Sequence, residues 1–79
     1  METAYVLINC DLGKEDEVIE KLKHIDAIKE IHGTFGEYDI IVKVEHTEKG
    51  KLQEIIVWNI RKIEPIRTTL TLLGIEGQN

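Results

Sequence analysis

The sequence has few of the features that stabilise many small proteins. It contains one cysteine and one proline in 79 residues, and aromatic residues make up 5% of it. A single cysteine cannot form an internal disulfide, so Cys10 is predicted to be a buried, inert thiol in a reducing compartment. His24, His32 and His46 share no ligand spacing with one another or with Cys10, so we expect no metal site and no cofactor.

Long apolar runs and basic clusters are also missing. The first ten residues include an acidic residue at position 2 and an apolar stretch too short for a signal sequence or a membrane span. The net charge is −5, and no group of lysines and arginines is dense enough to neutralise a phosphate backbone. We therefore expect a cytoplasmic protein with no direct nucleic-acid or membrane partner.

Chain length limits how the protein can be stabilised. With 79 residues, we expect one domain over 1–79 that buries only about two thirds of the surface of its unfolded chain. Domains of this size usually depend on disulfides, a metal or assembly. Because the first two are not indicated, the composition favours an oligomer.

Residues 33–44 predict a turn followed by a strand. Gly33 and Gly36 precede Glu37, Tyr38 and Asp39, a pattern that suits a hairpin tip with positive φ at its bend. Such a tip places a tyrosine ring, a carboxylate and accessible backbone N–H groups at one end of a sheet. We therefore predict a small-ligand site there.

Four segments have the pattern of strands. Residues 4–10 and 40–44 are apolar on nearly all alternating positions, which is typical of central strands covered on both faces. Residues 28–34 are rich in polar side chains, which indicates an edge strand. Residues 66–73 form the fourth strand, in which Arg67, Thr69 and Thr71 are predicted to alternate with Thr68, Leu70 and Leu72.

Two segments have the 3.6-residue periodicity of amphipathic helices. The first is predicted to begin near Lys14, with acidic residues in its first turn. The second is predicted to have Thr47 as its N-cap and to run to about Ile63. Trp58 is out of register with the apolar stripe, so it is either an oligomer contact or a partly exposed ring.

The order of elements is βαββαβ, which predicts an α+β, ferredoxin-like sandwich. Right-handed connections give a four-stranded antiparallel sheet with strands one and three in the centre and two helices on one face. The second apolar face of the sheet then needs a cover. The sheet of a partner subunit is the simplest one, which gives a homodimer resembling a dimeric α/β barrel.

An ordered set of short motifs resembles one protein family. These are Gly-Glu-Tyr-Asp at 36–39 followed by Ile-Ile-Val-Lys-Val, Ile-Arg-Lys-Ile at 60–63 and Arg-Thr-Thr-Leu-Thr-Leu at 67–72. Together with the first strand and the start of the first helix, they resemble the effector-binding domain, or RAM domain, of Lrp/AsnC transcriptional regulators. The likeness extends from Ala4 to about Ile75.

The chain departs from the family pattern in two places. Full-length members carry an N-terminal helix-turn-helix domain, and nothing precedes the first strand here, so the resemblance implies a stand-alone ligand-binding domain. Residues 63–66 read Ile-Glu-Pro-Ile where many relatives are closer to Ile-Pro-Gly-Val, so the start of the fourth strand is expected to differ.

The resemblance also implies a function. Domains of this family dimerise through their sheets, assemble further into rings and bind a free amino acid near the hairpin tip between dimers. The effector-binding residues carried over by match are Gly36, Tyr38, Asp39, Thr69 and Thr71. Asp39 would pair with the ammonium group, and backbone N–H groups by Gly36 would hold the carboxylate. Full-length Lrp/AsnC regulators are further candidate partners.

Simpler roles remain open for the same residues. Asp39 is also suited to stabilising its own turn, Tyr38 to ordinary cross-strand packing, and Thr69 and Thr71 to ordinary strand positions. The same architecture forms small dimeric α/β-barrel enzymes. No pair of base and nucleophile is evident, however, and His32 is the only histidine worth testing, so we predict a regulatory module and not an enzyme.

Overall fold

The structure, a computed structural model, describes residues 1–48 and 50–75. Neighbouring strands all pair antiparallel in one four-stranded sheet of order β2-β3-β1-β4. This confirms the ferredoxin-like α+β order and the two central strands. The elements are β1 (Glu2–Cys10), α1 (Glu15–Leu22), β2 (Ile28–Gly33), β3 (Ile40–His46), α2 (Lys51–Ile55), a π-helical segment (Ile56–Ile60) that continues α2, and β4 (Ile66–Leu73).

The core lies between one face of the sheet and the helices. Every second residue of the central strands points to this face, because side chains alternate along a strand. The buried strand residues are Ala4, Val6, Ile8 and Cys10 of β1 and Ile40, Val42 and Val44 of β3. The buried helical residues that pack against them are Val18, Leu22, Leu52, Ile56 and Ile60.

The first helix agrees with its prediction. Residues 15–17 place three carboxylates in its first turn, where the helix dipole favours negative charge, and Lys21 lies in its last turn. Val18 and Leu22 are buried on the sheet side. The salt bridge between Lys21 and Glu17 spans 3.3 Å on the solvent side, where such pairs contribute little.

The second helix begins later than predicted, and Thr47 is not its N-cap. Helix α2 starts at Lys51 after Gly50, whose φ of +86° lies in the left-handed region that favours glycine. The backbone N–H of Gly50 donates a hydrogen bond to Glu2 Oε1 at 2.9 Å. A side chain from β1 therefore anchors the start of this helix, and Thr47 does not.

The helix also ends differently. The π-helical segment stops at Ile60, short of the predicted end at Ile63, and its wide turn is closed by Arg61 N–H donating to Ile56 O at 3.0 Å. Trp58 points away from the core and is 70% exposed, as its position outside the apolar stripe indicated. Among the described residues, no helix has the length and apolar character needed to cross a membrane.

Two smaller predictions differ from the structure. Strand β2 ends at Gly33, one residue before the predicted Thr34. Of Gly33 and Gly36, only Gly36 has a positive φ, at +141°.

The other side of the sheet, here called the open face, is apolar along β1 and β4. Leu7 lies opposite Ile41 on one side and Leu70 on the other, and Tyr5 lies opposite Leu72. Leu70 is 43% exposed and Leu72 is 50% exposed, although both sit in the middle of regular strand pairing. Neighbouring apolar side chains on a sheet surface indicate a surface that is covered in the functional state.

The half of the open face formed by β2 and β3 is charged. Lys43 lies 3.5 Å from a carboxylate oxygen of Glu45 and 3.7 Å from one of Glu30. The neighbouring Glu45 carboxylate is the main cause that raises the pKa of Lys43. The charges of this half therefore pair within the sheet, whereas the half formed by β1 and β4 carries neighbouring apolar side chains.

The alternation of buried residues predicts the effect of a core truncation. Ile8 is fully buried, so Ile8→Ala should lower the free energy of unfolding by about 3 kcal/mol through lost burial and a residual cavity. Urea unfolding followed by circular dichroism at one protein concentration measures this. Ile75→Ala, at a site that is 64% exposed, should change it by less than about 0.5 kcal/mol. Equal losses would contradict the core described above.

Candidate functional site

A polar cleft lies at the end of the sheet where β1 finishes and β4 begins. It has a volume of about 400 Å³ and is lined by Asn9, Cys10, Glu37, Asp39, Arg67 and Thr68. Small-molecule sites usually have volumes of about 300–1,000 Å³. We call it the tip cleft, because the hairpin tip, residues 34–39, forms one wall.

Hydrogen bonds hold the tip against itself and against β1. Thr34 N–H donates to Asp39 O at 2.8 Å, and the Thr34 hydroxyl donates to Tyr38 O at 2.6 Å. Asp39 N–H donates to Ile8 O at 3.0 Å. A Cβ on Gly36 would meet nothing within 4 Å, so its positive φ, and not lack of space, calls for glycine. Gly36 and Tyr38 thus shape the tip without lining the cleft.

The side chain of Asp39 joins the tip to the end of β1. Its Oδ2 accepts a hydrogen bond from the backbone N–H of Cys10 at 3.0 Å. This is a structural role of the kind that the sequence left open for Asp39, although the donor is distant in the chain and not within the turn. The bond uses one carboxylate oxygen and leaves Oδ1 for another donor.

A β-bulge sets the position of Arg67. The residues on either side of it in β4 pair with Asn9 and Cys10, so Arg67 is the extra residue of the bulged strand. Bulges re-aim side chains and are frequent beside functional sites. Arg67 Nε lies 3.8 Å from Asp11 Oδ1 on the surface, a separation at which an exposed pair contributes little. A ligand carboxylate could therefore compete for this guanidinium.

The two predicted threonines lie elsewhere. Thr69 pairs with Ile8 and Thr71 with Val6, so both side chains lie on the helix face of the sheet. Thr69 Oγ1 accepts a hydrogen bond from Arg61 Nε at 3.2 Å. Within one chain, the structure brings Asp39 together with Thr68 and not with Thr69 or Thr71.

Comparison with known proteins identifies the family of this fold. Residues 3–76 match the family described as the Lrp/AsnC ligand binding domain. The chain belongs to this family. The crystal structure of FFRP-DM1 is similar over 95% of this chain and 100% of that chain, with 43% sequence identity and a TM-score of 0.90.

Longer relatives are similar to this chain over part of their length. An HTH-type transcriptional regulator of Pyrococcus furiosus is 31% identical over 75 residues, which cover 91% of this chain and 50% of the regulator. Homocitrate synthase of Saccharolobus islandicus is 35% identical over 71 residues, which cover 89% of this chain and 15% of the enzyme. The chain thus spans half the length of the regulator and a small part of the synthase.

One cluster in the Lrp/AsnC domain has the composition of a metal site. The ligand atoms of Cys10, Glu15 and Asp39 lie within 4.8 Å of one another. Burial, followed by the negative charge of Asp39, raises the pKa of the Cys10 thiol, whereas metals bind the thiolate. Asp39 already accepts the Cys10 N–H bond. These residues therefore fit a neutral, structural thiol better than a metal centre.

Two of the three histidines, His32 and His46, make local side-chain contacts. His32 Nε2 lies 3.1 Å from Glu30 Oε1 on the exposed edge of β2, and this hydrogen bond is the main cause that lowers the pKa of Glu30. His46 Nδ1 accepts a hydrogen bond from Glu48 N–H at 2.9 Å. Neither histidine lines the tip cleft.

Sequence reasoning did not assign Arg67 and Thr68 to the site. Simple alternation places Arg67 on the same face as Thr69 and Thr71, but the bulge between Asn9 and Cys10 breaks the alternation at this point. A bulge arises from pairing between distant strands, so no local signal reveals it. Glu37 lies in the Gly-Glu-Tyr-Asp motif itself and could have been chosen there.

The environment of Cys10 predicts a pH dependence. Folding raises the pKa of this thiol, so its protonated form stabilises the folded protein at pH values below the pKa of the thiol in the unfolded chain. This contribution is lost as the pH rises through the pKa of the thiol in the folded protein. The free energy of unfolding should therefore decline above about pH 8.5, and Cys10→Ala should remove this part of the decline.

The same thiol can be followed directly. Because the carboxylate of Asp39 contributes to the raised pKa, Asp39→Asn should move the Cys10 ¹³Cβ titration to lower pH in NMR. Glu54→Gln on α2 is the matched control and should leave it in place. An unchanged titration in Asp39→Asn would contradict the described contact.

Proposed function

We propose that this domain binds a free amino acid in the tip cleft and couples its binding to assembly through the open face. The observation that carries the proposal is the meeting of opposite charges in one cleft: the guanidinium of Arg67 from β4 faces the same space as the carboxylates of Glu37 and Asp39. A guanidinium binds a carboxylate through paired hydrogen bonds, and a carboxylate binds an ammonium group.

Each charge has a matching role in this proposal. Arg67 would hold the ligand carboxylate in place of its exposed pair with Asp11. Asp39, through the oxygen not bonded to Cys10, and Glu37 would hold the ammonium group. Gly36 keeps the tip in shape through its positive φ, so substituting it would act on the ligand through the position of Asp39. Tyr38 contributes its backbone carbonyl, which accepts the bond from the Thr34 hydroxyl.

Thr71 enters the proposal only through a second copy. In one chain Thr69 lines a neighbouring cavity of about 440 Å³ with Arg67 and Thr68, whereas Thr71 lies on the helix face further along β4, so a ligand bound at the tip would reach such a residue only on another subunit. A site shared in this way would make ligand binding depend on assembly, because the ligand can shift assembly only by its different affinity for the two states.

The relatives support a portable regulatory module. The same kind of domain forms half of a transcriptional regulator and a small part of a synthase. A domain found beside two different activities is better suited to sensing a ligand than to carrying either activity. Catalysis has weaker support, since His32 lies on the exposed β2 edge, where its described partner is Glu30.

The apolar half of the open face supports a homodimer. Leu7, Leu70 and Leu72 form neighbouring apolar positions across β1 and β4. In a two-fold dimer, each apolar half would meet its own copy, because such interfaces are self-complementary. The corresponding domain of a full-length Lrp/AsnC regulator would be a second candidate partner for this face.

Amino acid binding predicts a change in thermal stability. A ligand at about a hundred times its Kd adds roughly 2.7 kcal/mol, which raises Tm by about 10 °C or more in so small a domain. Calorimetry against each common amino acid at millimolar concentration measures this. It is preferable to tryptophan fluorescence because Trp58 is 70% exposed.

Variants then locate the site. Arg67→Gln and Asp39→Asn should each weaken the affinity for the identified amino acid by about tenfold or more, because each removes a charge-assisted hydrogen bond. Lys23→Gln, which removes an exposed cation on the far end of α1, is the matched control and should bind like the unaltered protein. Normal binding by both cleft variants would place the ligand elsewhere.

The homodimer has a separate test. Leu72→Lys places a charge in the apolar half of the open face and should raise the dimer dissociation constant by about 100-fold in sedimentation equilibrium. Leu12→Lys is the control, since Leu12 is 96% exposed in the turn before α1. If Leu72→Lys assembles as tightly as Leu12→Lys, the open face is not the dimer interface.

A further inference from the structure

A second cavity lies on the helix face, between the π-helical segment and β4. It has a volume of about 250 Å³ and is lined by Gln53, Ile56, Val57, Arg61, Thr71 and Leu73. None of these residues lines the tip cleft. We call it the helix cavity. Its walls combine aliphatic side chains with three polar ones, the usual composition of a site for a small molecule.

The cation of the helix cavity is hydrogen-bonded through Nε but not neutralised. Arg61 Nε donates to Thr69 Oγ1 at 3.2 Å on the surface, which leaves the two terminal nitrogens of the guanidinium with their donors. Arg67, the other arginine of the chain, pairs with Asp11. Within residues 1–48 and 50–75, no carboxylate lies within 4.0 Å of Arg61.

The backbone beside the cavity is unusual. The π-helical turn, closed by the bond from Arg61 N–H to Ile56 O, carries three of the lining residues: Ile56, Val57 and Arg61. π-helical turns are rare in proteins, and those that do occur are often found at functional sites. This observation does not depend on the cavity volume or on the unpaired guanidinium, and all three point to the same place.

The residues that line the helix cavity indicate the chemistry of its ligand. Two terminal guanidinium nitrogens match a carboxylate, and Ile56, Val57 and Leu73 match an aliphatic chain. The cavity volume equals that of roughly eight molecules of liquid water, so an acid with about eight non-hydrogen atoms would fit in it. No lining residue is acidic, so an ammonium group would have no charge partner in the cavity.

We infer that the helix cavity binds a small aliphatic carboxylate without an ammonium group, such as a 2-oxo acid. Its carboxylate lies on Arg61 and its chain lies against Ile56 and Val57, while Gln53 and Thr71 donate hydrogen bonds to the oxo oxygen. The domain would then distinguish an amino acid, bound in the tip cleft, from the corresponding acid that lacks the amine.

Two ligands with one carbon skeleton test this. 4-Methyl-2-oxopentanoate and leucine differ only at the second carbon, and each is titrated at millimolar concentration into the ¹⁵N-labelled full chain. The oxo acid should shift the amides of Gln53, Val57 and Thr71, and leucine should shift them less at the same concentration. Arg61→Gln should weaken the oxo acid by about tenfold or more.

Matched variants make the outcome decisive. Lys62→Gln removes the cation next to Arg61, which lines neither the tip cleft nor the helix cavity, and should leave binding of the oxo acid unchanged, whether or not the tip cleft binds an amino acid. Val57→Glu places a carboxylate in the wall beside Arg61 and should also abolish binding, which provides a second test if Arg61→Gln is poorly folded. The inference is overturned if the three amides do not move, if leucine moves them equally, or if Arg61→Gln binds normally.

Discussion

Strand β1 carries apolar side chains on both faces, while the helices cover only one of them. On the covered face, Val6, Ile8 and Val42 are fully buried. On the other face, Leu7 and Tyr5 continue the apolar surface toward Leu70 and Leu72. A 79-residue chain has a small core, so this exposed apolar surface is the basis of the proposed assembly through the open face.

The candidate binding residues lie at one end of the sheet and beside the second helix. At one end, Asp39 holds the tip to β1 through Cys10, and the bulge brings Arg67 to the same cleft. One carboxylate thus contributes to the fold and remains available to a ligand. Under the helices, Arg61 sits in a second polar setting bounded by a π-helical turn. The two arginines differ in their neighbours: two carboxylates line the cleft of Arg67, whereas no acidic residue lines the cavity of Arg61.

Local pattern predicted the features that depend on local physics. Apolar residues at nearly all positions of β1 and β3 predicted that these strands are central. The motif of the hairpin tip predicted the positive φ of Gly36. The missed features depend on distant contacts. Gly50, and not Thr47, precedes α2, and Glu2, 48 positions away in sequence, accepts its N–H bond. A register shift between β4 and β1 places Arg67 in the tip cleft, and the residues next to Arg67 in sequence do not indicate this shift.

The most direct test of this account is the solvent exposure of the open face in solution. In ¹³C-methyl NMR with a soluble gadolinium chelate, relaxation enhancement reports the access of water to each leucine. In a single chain, Leu70 and Leu72 are 43% and 50% exposed, and Leu12 is 96% exposed. Assembly through the open face predicts strong enhancement at Leu12 and almost none at Leu70 and Leu72. Relaxation enhancement at Leu70 and Leu72 in proportion to their exposure in a single chain would contradict assembly through the open face.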